Sequence, residues 1–178
     1  MTDSLYFDTD CLSSFLWVKA EKILTALYSN RIIIPQQVYN ELSNPVITHL
    51  RMRLDSLINK GGAVIQPILA DSPEYSLYMK LTNAPDDGYA IIGKGEAAAI
   101  TLAYVSGGAV ASNNMKDVST YVSRFNLRHV TTGDILARAF ERSLITEDKG
   151  NRIWDAMLAR KRKIGAASFT NYLRKHND

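Results

Sequence analysis

Leu5-Tyr6-Phe7-Asp8-Thr9-Asp10-Cys11 decides the fold, because three apolar residues of strand character run into an aspartate and a helical pattern starts near Cys11. Ile32-Ile33-Ile34, stopped by Pro35, is a second strand of the same kind, β-branched and suited to burial. Val64-Ile65 and Ala109-Val110-Ala111, the latter introduced by Gly107-Gly108, read as a third and fourth, and Arg128-His129-Val130 as a short edge strand. Helical patterns fill the intervals: roughly 11–28 with a break in the middle, 36–43, 46–60, 73–82, 94–105 and 115–124. Strict strand–helix alternation predicts right-handed crossovers and a central, mostly parallel sheet of four to five short strands, covered by helices on both faces. Sites in such three-layer α/β/α sheets form at the carboxyl ends of the strands.

Beyond residue 130 the pattern is wholly helical, with Thr132 read as the cap of one segment, Thr146 of a second ending near Lys163, and Ser168 of a third. The chain therefore divides into an α/β domain over 1–143 and a helical extension over 144–178 packed on the same body, with no flexible linker between them. Asn83-Ala84-Pro85-Asp86-Asp87-Gly88 has strong turn chemistry and predicts a mobile loop near the site. There is no internal repeat or low-complexity tract.

With 178 residues the chain can bury a core as one domain, and 46% apolar against 22% charged residues is the balance of a soluble globular protein. No apolar run approaches the roughly 20 residues of a membrane span. Met1-Thr2-Asp3-Ser4 lacks a secretory leader's basic start and apolar stretch, and Cys11 is the only cysteine, so the expected location is a reducing cytoplasm. His49, His129 and His176 have no metal-site spacing, and Gly93-Lys94-Gly95 is not a phosphate-binding loop. The net charge of +3 is modest, but Arg160-Lys161-Arg162-Lys163 and Arg174-Lys175 gather positive charge near the C-terminus. That run is either a solvated helix face or a path for phosphates.

Acids recur just past the strands. Asp8 ends the first strand; its plain alternative is to cap the next helix, a task that suits Asp10 better. Glu41 lies on the helix of Pro35-Gln36-Gln37-Val38-Tyr39-Asn40-Glu41-Leu42, beside the face that Val38 and Leu42 bury. Glu96 sits in the first turn of Gly95-Glu96-Ala97-Ala98-Ala99-Ile100, where the helix dipole alone would favour an acid. Past the fourth strand come Ser112-Asn113-Asn114-Met115-Lys116-Asp117, with Asn114 and Asp117 one helical turn apart. Carboxylates converging in one cleft repel unless cations neutralise them, and hard ions such as Mg²⁺ or Mn²⁺ suit carboxylate, amide and water ligands. Such ions activate water for phosphodiester hydrolysis.

In this order and spacing, Phe7-Asp8-Thr9-Asp10, the Ile34–Leu42 segment, Gly95–Ile100 and Ser112–Asp117 resemble the PIN-domain family, over roughly residues 4 to 130. The resemblance implies helices around a parallel sheet and an endoribonuclease dependent on Mg²⁺ or Mn²⁺, often the VapC-like toxin of a toxin–antitoxin pair. It implies catalytic roles for Asp8, Glu41, Glu96, Asn114 and Asp117, with Asp8, Glu96 and Asp117 on the metal and Asp10 and Ser112 as accessories. Asn114 departs from the family, which usually has an acid there; Asp117 is the carboxylate one turn later. The implied partners are RNA, contacted by Arg160, Lys161, Arg162 and Lys163, an antitoxin protein and a second copy of the chain. Two alternatives stand beside this reading. One is a catalytically weakened PIN fold that binds RNA or protein. The other is a phosphatase resembling the haloacid dehalogenases, whose nucleophile motif Asp8-Thr9-Asp10 matches but whose later acidic motif Gly133-Asp134-Ile135-Leu136 imitates poorly.

Overall fold

Five short strands carry the architecture: β1 (Leu5–Phe7), β2 (Ile32–Pro35), β3 (Val64–Gln66), β4 (Ala109–Ala111) and β5 (Arg128–Val130). The computed structural model describes residues 3–177, so Met1 and Thr2, which belong to the stretch read for a leader, and Asp178 lie outside it. All four pairings are parallel, in the order β3-β2-β1-β4-β5. Leu5, Tyr6 and Phe7 are all buried, as a central strand requires, whereas β3 and β5 are partly exposed edges. The chain builds outward from β1 through β2 to β3, then crosses back to place β4 on the other side of β1. The gap between β1 and β4 is the point where strand order reverses, the preferred location for a site in an open parallel sheet.

The helices are α1 (Thr9–Trp17), α2 (Glu21–Leu27), α3 (Gln36–Glu41), α4 (Thr48–Asn59), α5 (Pro73–Asn83), α6 (Lys94–Ser106), α7 (Met115–Arg124), α8 (Thr132–Glu141), α9 (Glu147–Ala159) and α10 (Phe169–Asn177). Strand residues point alternately to the two faces, and that alternation splits the core. Leu5, Phe7, Ile32, Ile34, Ala109 and Ala111 face a cluster that includes Leu12, Phe15, Leu54, Leu136 and Trp154. Tyr6 and Val110 face the other way, toward Leu81, Ile100, Val118 and Tyr121. Three layers result, and α6 lies flat on the sheet because Ala97, Ala98 and Ala99 are small enough for close approach.

The break expected in the middle of 11–28 is present, at Lys19, whose φ of 60° is left-handed and ends a helix, but several other local details differ from the sequence reading. Asp8, not Asp10, caps α1, and Thr131, not Thr132, caps α8 by accepting from the Asp134 N–H at 3.2 Å. Thr132 is instead fully buried. Helix α9 stops at Ala159, and Lys161 (φ 58°) turns the chain, so the basic run lies in a loop and not on a helix face. The loop after α5 is tied down at Asp86, which pairs with Lys80 at 3.4 Å and with Arg124.

The C-terminal helices pack on α1 and α8. Two glycines make this possible: the ring of Tyr172 lies where a Cβ on Gly133 would be, and the ring of Phe169 where a Cβ on Gly150 would be, at 2.2 Å in each case. Trp154 Nε1 adds a bond to the Ala166 carbonyl at 3.0 Å. Among the described residues no helix is long and apolar enough to cross a membrane. Gly150→Ala should destabilise the fold by about 1–3 kcal/mol through overpacking against the buried Phe169 ring. That loss outweighs the helix-propensity gain of up to ~1 kcal/mol. Urea denaturation measures the balance; a variant as stable as the parent would mean that α10 is not seated on α9 in solution.

Candidate active site

Where β1 ends, its pairing with β4 persists one residue further: the Asp8 N–H donates to the Ala111 carbonyl at 2.9 Å. This fixes the Asp8 side chain at the switch point. Its Oδ1 accepts from the Cys11 N–H at 2.7 Å, so the capping role and the site role coexist in one carboxylate. Its Oδ2 is buried and accepts no hydrogen bond. Burial pushes the Asp8 pKa up to about 7, with smaller upward pushes from the charges of Asp10 and Glu96. The Ser112 hydroxyl and the Cys11 N–H nearby act in the opposite sense. The Cys11 thiol beneath is fully buried and pushed up as well, which makes it a packing residue rather than a nucleophile.

A cavity of about 260 Å³ opens beside Asp8, lined by four carboxylates, those of Asp8, Asp10, Glu41 and Glu96. Thr9, Gly95 and Arg162 stand between them. Glu41 Oε2 accepts from the Thr9 hydroxyl at 2.5 Å and Oε1 from the Gly95 N–H at 3.0 Å. Glycine is required at 95, since a Cβ there would lie 2.8 Å from Thr9 Oγ1 and 3.2 Å from both Glu41 oxygens. The first turn of α6 thus abuts Glu41 directly. Glu96 Oε2 accepts from the Gly93 N–H at 2.9 Å, a capping bond, and Oε1 from Asn114 Nδ2 at 2.6 Å.

Asn114 and Asp117 are brought to the site but do not line the cavity. Asn114 Nδ2 also donates to Asp117 Oδ2 at 2.7 Å, so one amide holds two carboxylates together. An acid at 114 could not do this without a proton or a cation, because it has no donor to offer. Asp117 therefore reaches the site through Asn114. Ser112 is buried behind it, its hydroxyl accepting from the Asn114 N–H at 3.1 Å.

The basic run splits. Arg162 enters the carboxylate cavity and pairs with Asp10 Oδ1 at 3.2 Å. Arg160 stacks over the Trp17 ring at 5.2 Å, Lys161 is exposed, and Lys163 turns toward a different cavity. Sequence reading missed Thr9, Gly95 and Asn113, whose amide donates to Asp10 Oδ2 at 3.4 Å while its carbonyl oxygen takes the Thr132 N–H at 2.9 Å. No linear pattern marks these contacts. The histidines are scattered as expected: His49 meets Trp17 edge-on, His129 bonds the Ser112 carbonyl, and His176 stacks on Tyr172.

Among the described residues no three His, Cys, Asp or Glu side chains are drawn together as a closed ligand set. The donors nevertheless fit an ion that keeps several waters and takes only one or two carboxylates, as Mg²⁺ does. A buried, unbonded carboxylate oxygen beside an acid-lined cavity is a place where a cation would relieve an energetic cost.

Acidic side chains gathered at the switch point of a parallel α/β sheet place the protein among α/β folds whose site suits a hard divalent cation. The chain belongs to the PIN-domain family: the family described as DUF3368: PIN domain matches residues 5–178, a span that runs through α9 and α10. PIN domains are generally nucleases that use divalent metals, and membership leaves the dehalogenase-like phosphatase alternative without support. No curated protein matches the sequence.

The raised Asp8 pKa fixes a pH dependence. Between its ordinary value of 3.8 and about 7 the unfolded chain has lost this proton and the folded chain has kept it. The unfolded state binds fewer protons at this group, so Asp8's own contribution to metal-free stability falls as pH rises from about 4 to about 7. The size is on the order of 4 kcal/mol. In EDTA, Asp8→Asn should therefore melt higher than the parent at pH 8 and not at pH 4, with Mn²⁺ raising the parent's melting temperature at pH 8. Identical melting-temperature profiles in the two proteins would show that Asp8 ionises normally.

Proposed function

We propose that this protein is an endoribonuclease that hydrolyses RNA phosphodiester bonds in the carboxylate cavity with Mg²⁺ or Mn²⁺ bound there. The observation that carries the reading is the unbonded Oδ2 of Asp8, buried beside a cavity that Asp10, Glu41 and Glu96 also line. Asp8 and Glu96 are the residues that would hold the ion. When bound, it supplies an activated water and neutralises charge on the phosphate.

The rest of the chemistry lies in the chain itself. Glu41 fixes the first turn of α6 through Thr9 and Gly95 and so sets where Glu96 stands. Asn114 orients Glu96, and Asp117 in turn holds Asn114. Among the described residues Arg162 is the one cation within the cavity lining, and its partner Asp10 is partly exposed, so a phosphate oxygen can take the guanidinium from Asp10. Family membership and the toxin-like motif order support a further step, that the enzyme is the toxin of a toxin–antitoxin pair. Its antitoxin would meet the same Arg160–Lys163 loop with acidic groups.

Labelled single-stranded RNA incubated with Mg²⁺ or Mn²⁺ tests the proposal. Cleavage should vanish in EDTA and fall by at least about 100-fold in an Asp8→Ala, Glu96→Ala double variant, in line with the loss of electrostatic and metal catalysis. Arg162→Gln should lower kcat/KM about 10-fold, the effect of one lost charged hydrogen bond. Cleavage undiminished in the double variant would sink the nuclease assignment. RNA binding by the parent with no cleavage would make the chain a binding module, the outcome favoured if Asn114 in place of an acid leaves too little charge to hold the ion.

A further inference from the structure

Lys163, the last residue of the basic run, turns away from the carboxylates and lines a second cavity, of about 210 Å³. It lies at the same end of the sheet: Asn113 and Met115 follow β4, Thr131 follows β5, Lys163 and Ile164 come from the loop after α9, and Lys175 and His176 from α10. Asn113 is the shared wall, lining this cavity while its amide donates to Asp10 in the first.

The two cavities have opposite chemistry. Among the described residues four carboxylates line the first and none lines the second, where Lys163, Lys175 and His176 are exposed. Among the described residues neither lysine belongs to an ion pair. The acid beneath, Asp134, is already engaged, since it accepts from the Tyr172 hydroxyl, the Thr131 N–H and the Thr131 hydroxyl. The volume is below the roughly 300–1,000 Å³ of sites for drug-sized ligands, which suits a phosphate-sized group better than a whole cofactor. Met115 and Ile164 add apolar walls, and His176 lies flat on the Tyr172 ring at 4.0 Å.

We propose that this second cavity is a subsite for the phosphodiester next to the scissile one, with Lys163 and Lys175 as its cationic partners. The inference rests on the ribonuclease reading. A nucleic-acid strand carries phosphates at every step, so a strand crossing the Asp8 cavity must place its neighbouring phosphate close by. Consecutive residues, Arg162 and Lys163, deliver one cation to each cavity because the left-handed Lys161 turns the chain just before them. An acidic protein segment would also meet lysines, but nothing in that alternative calls for two adjoining cavities.

Steady-state cleavage of a labelled single-stranded 12-mer RNA, measured across a salt series, tests the subsite. Lys163→Gln, Lys175→Gln should lower kcat/KM about 10-fold at 0.1 M salt and flatten the dependence of log(kcat/KM) on log[salt] by about 0.7, the value for one lost phosphate contact. The double arginine variant should restore both values. Lys22→Gln, Lys60→Gln, in the cavity at the opposite end of the sheet, should change neither. An unchanged salt slope in the first variant, while the parent cleaves RNA, overturns the subsite and leaves the ribonuclease reading standing. A parent that does not cleave RNA overturns both.

Discussion

Four carboxylates around one small cavity repel one another, and the structure near the site is organised by how that repulsion is offset. Each acid but one has its oxygens matched to donors fixed by the fold: Glu41 to Thr9 and Gly95, Glu96 to Gly93 and Asn114, Asp10 to Arg162 and Asn113. Asp8 alone keeps a buried oxygen unbonded, and its proton is held correspondingly tightly. Bringing these acids together thus has a cost at neutral pH, and a divalent cation would relieve most of it at Asp8. Residues that bind so strained a charge are functional candidates on physical grounds, independent of any resemblance.

The sheet makes the convergence possible. Since β1 and β4 pair but their following helices leave on different sides, the chain ends beyond Phe7 and Ala111 splay apart and open a crevice. Helix α6 must come close to fill the sheet above it and still leave room at its own first turn. Small residues serve both ends: Ala97 to Ala99 along the sheet, and Gly95 against Glu41. The bond between the Gly95 N–H and Glu41 is then a consequence of packing, and it ties the second acid to the third.

The C-terminal helices are coupled to the site through this packing. Phe169 and Tyr172 lock α10 into the notches at Gly150 and Gly133, and the loop held between α9 and α10 carries Arg162 to Asp10. The hydroxyl of Tyr172 at 2.6 Å helps to keep Asp134 ionised, with its pKa lowered against the pull of burial. The Asp134 oxygens are taken up by Tyr172 and Thr131, and among the described residues Asp134 forms no ion pair with the lysines of the second cavity. Docking of the tail and the distribution of positive charge around the cleft are therefore one structural fact.

Strands, helix order and the four cavity acids, Asp10 as an accessory, were legible in the sequence, because apolar periodicity and Gly or Pro punctuation report local backbone geometry. Asp8 and Glu41 stood out since each falls directly after a strand or on the helix that follows one, and Glu96 by its place in the first turn of a helix behind glycines. The capping errors at Asp10 and Thr132 were shifts of one or two residues, where several hydroxyls and acids compete and only φ and ψ decide which caps. What no linear pattern could reveal was the meeting of distant groups. Arg162 is 152 residues from Asp10, and Asn113 is 103. The division of Arg160–Lys163 between a ring, solvent and two cavities depended on where α9 stops. The amide of Asn114, which reads in sequence as a lost charge, proved in space to be the donor that lets Glu96 and Asp117 stand side by side. Periodicity fixes which residues are buried; only the crossovers and the docking of α10 decide which charges face one another.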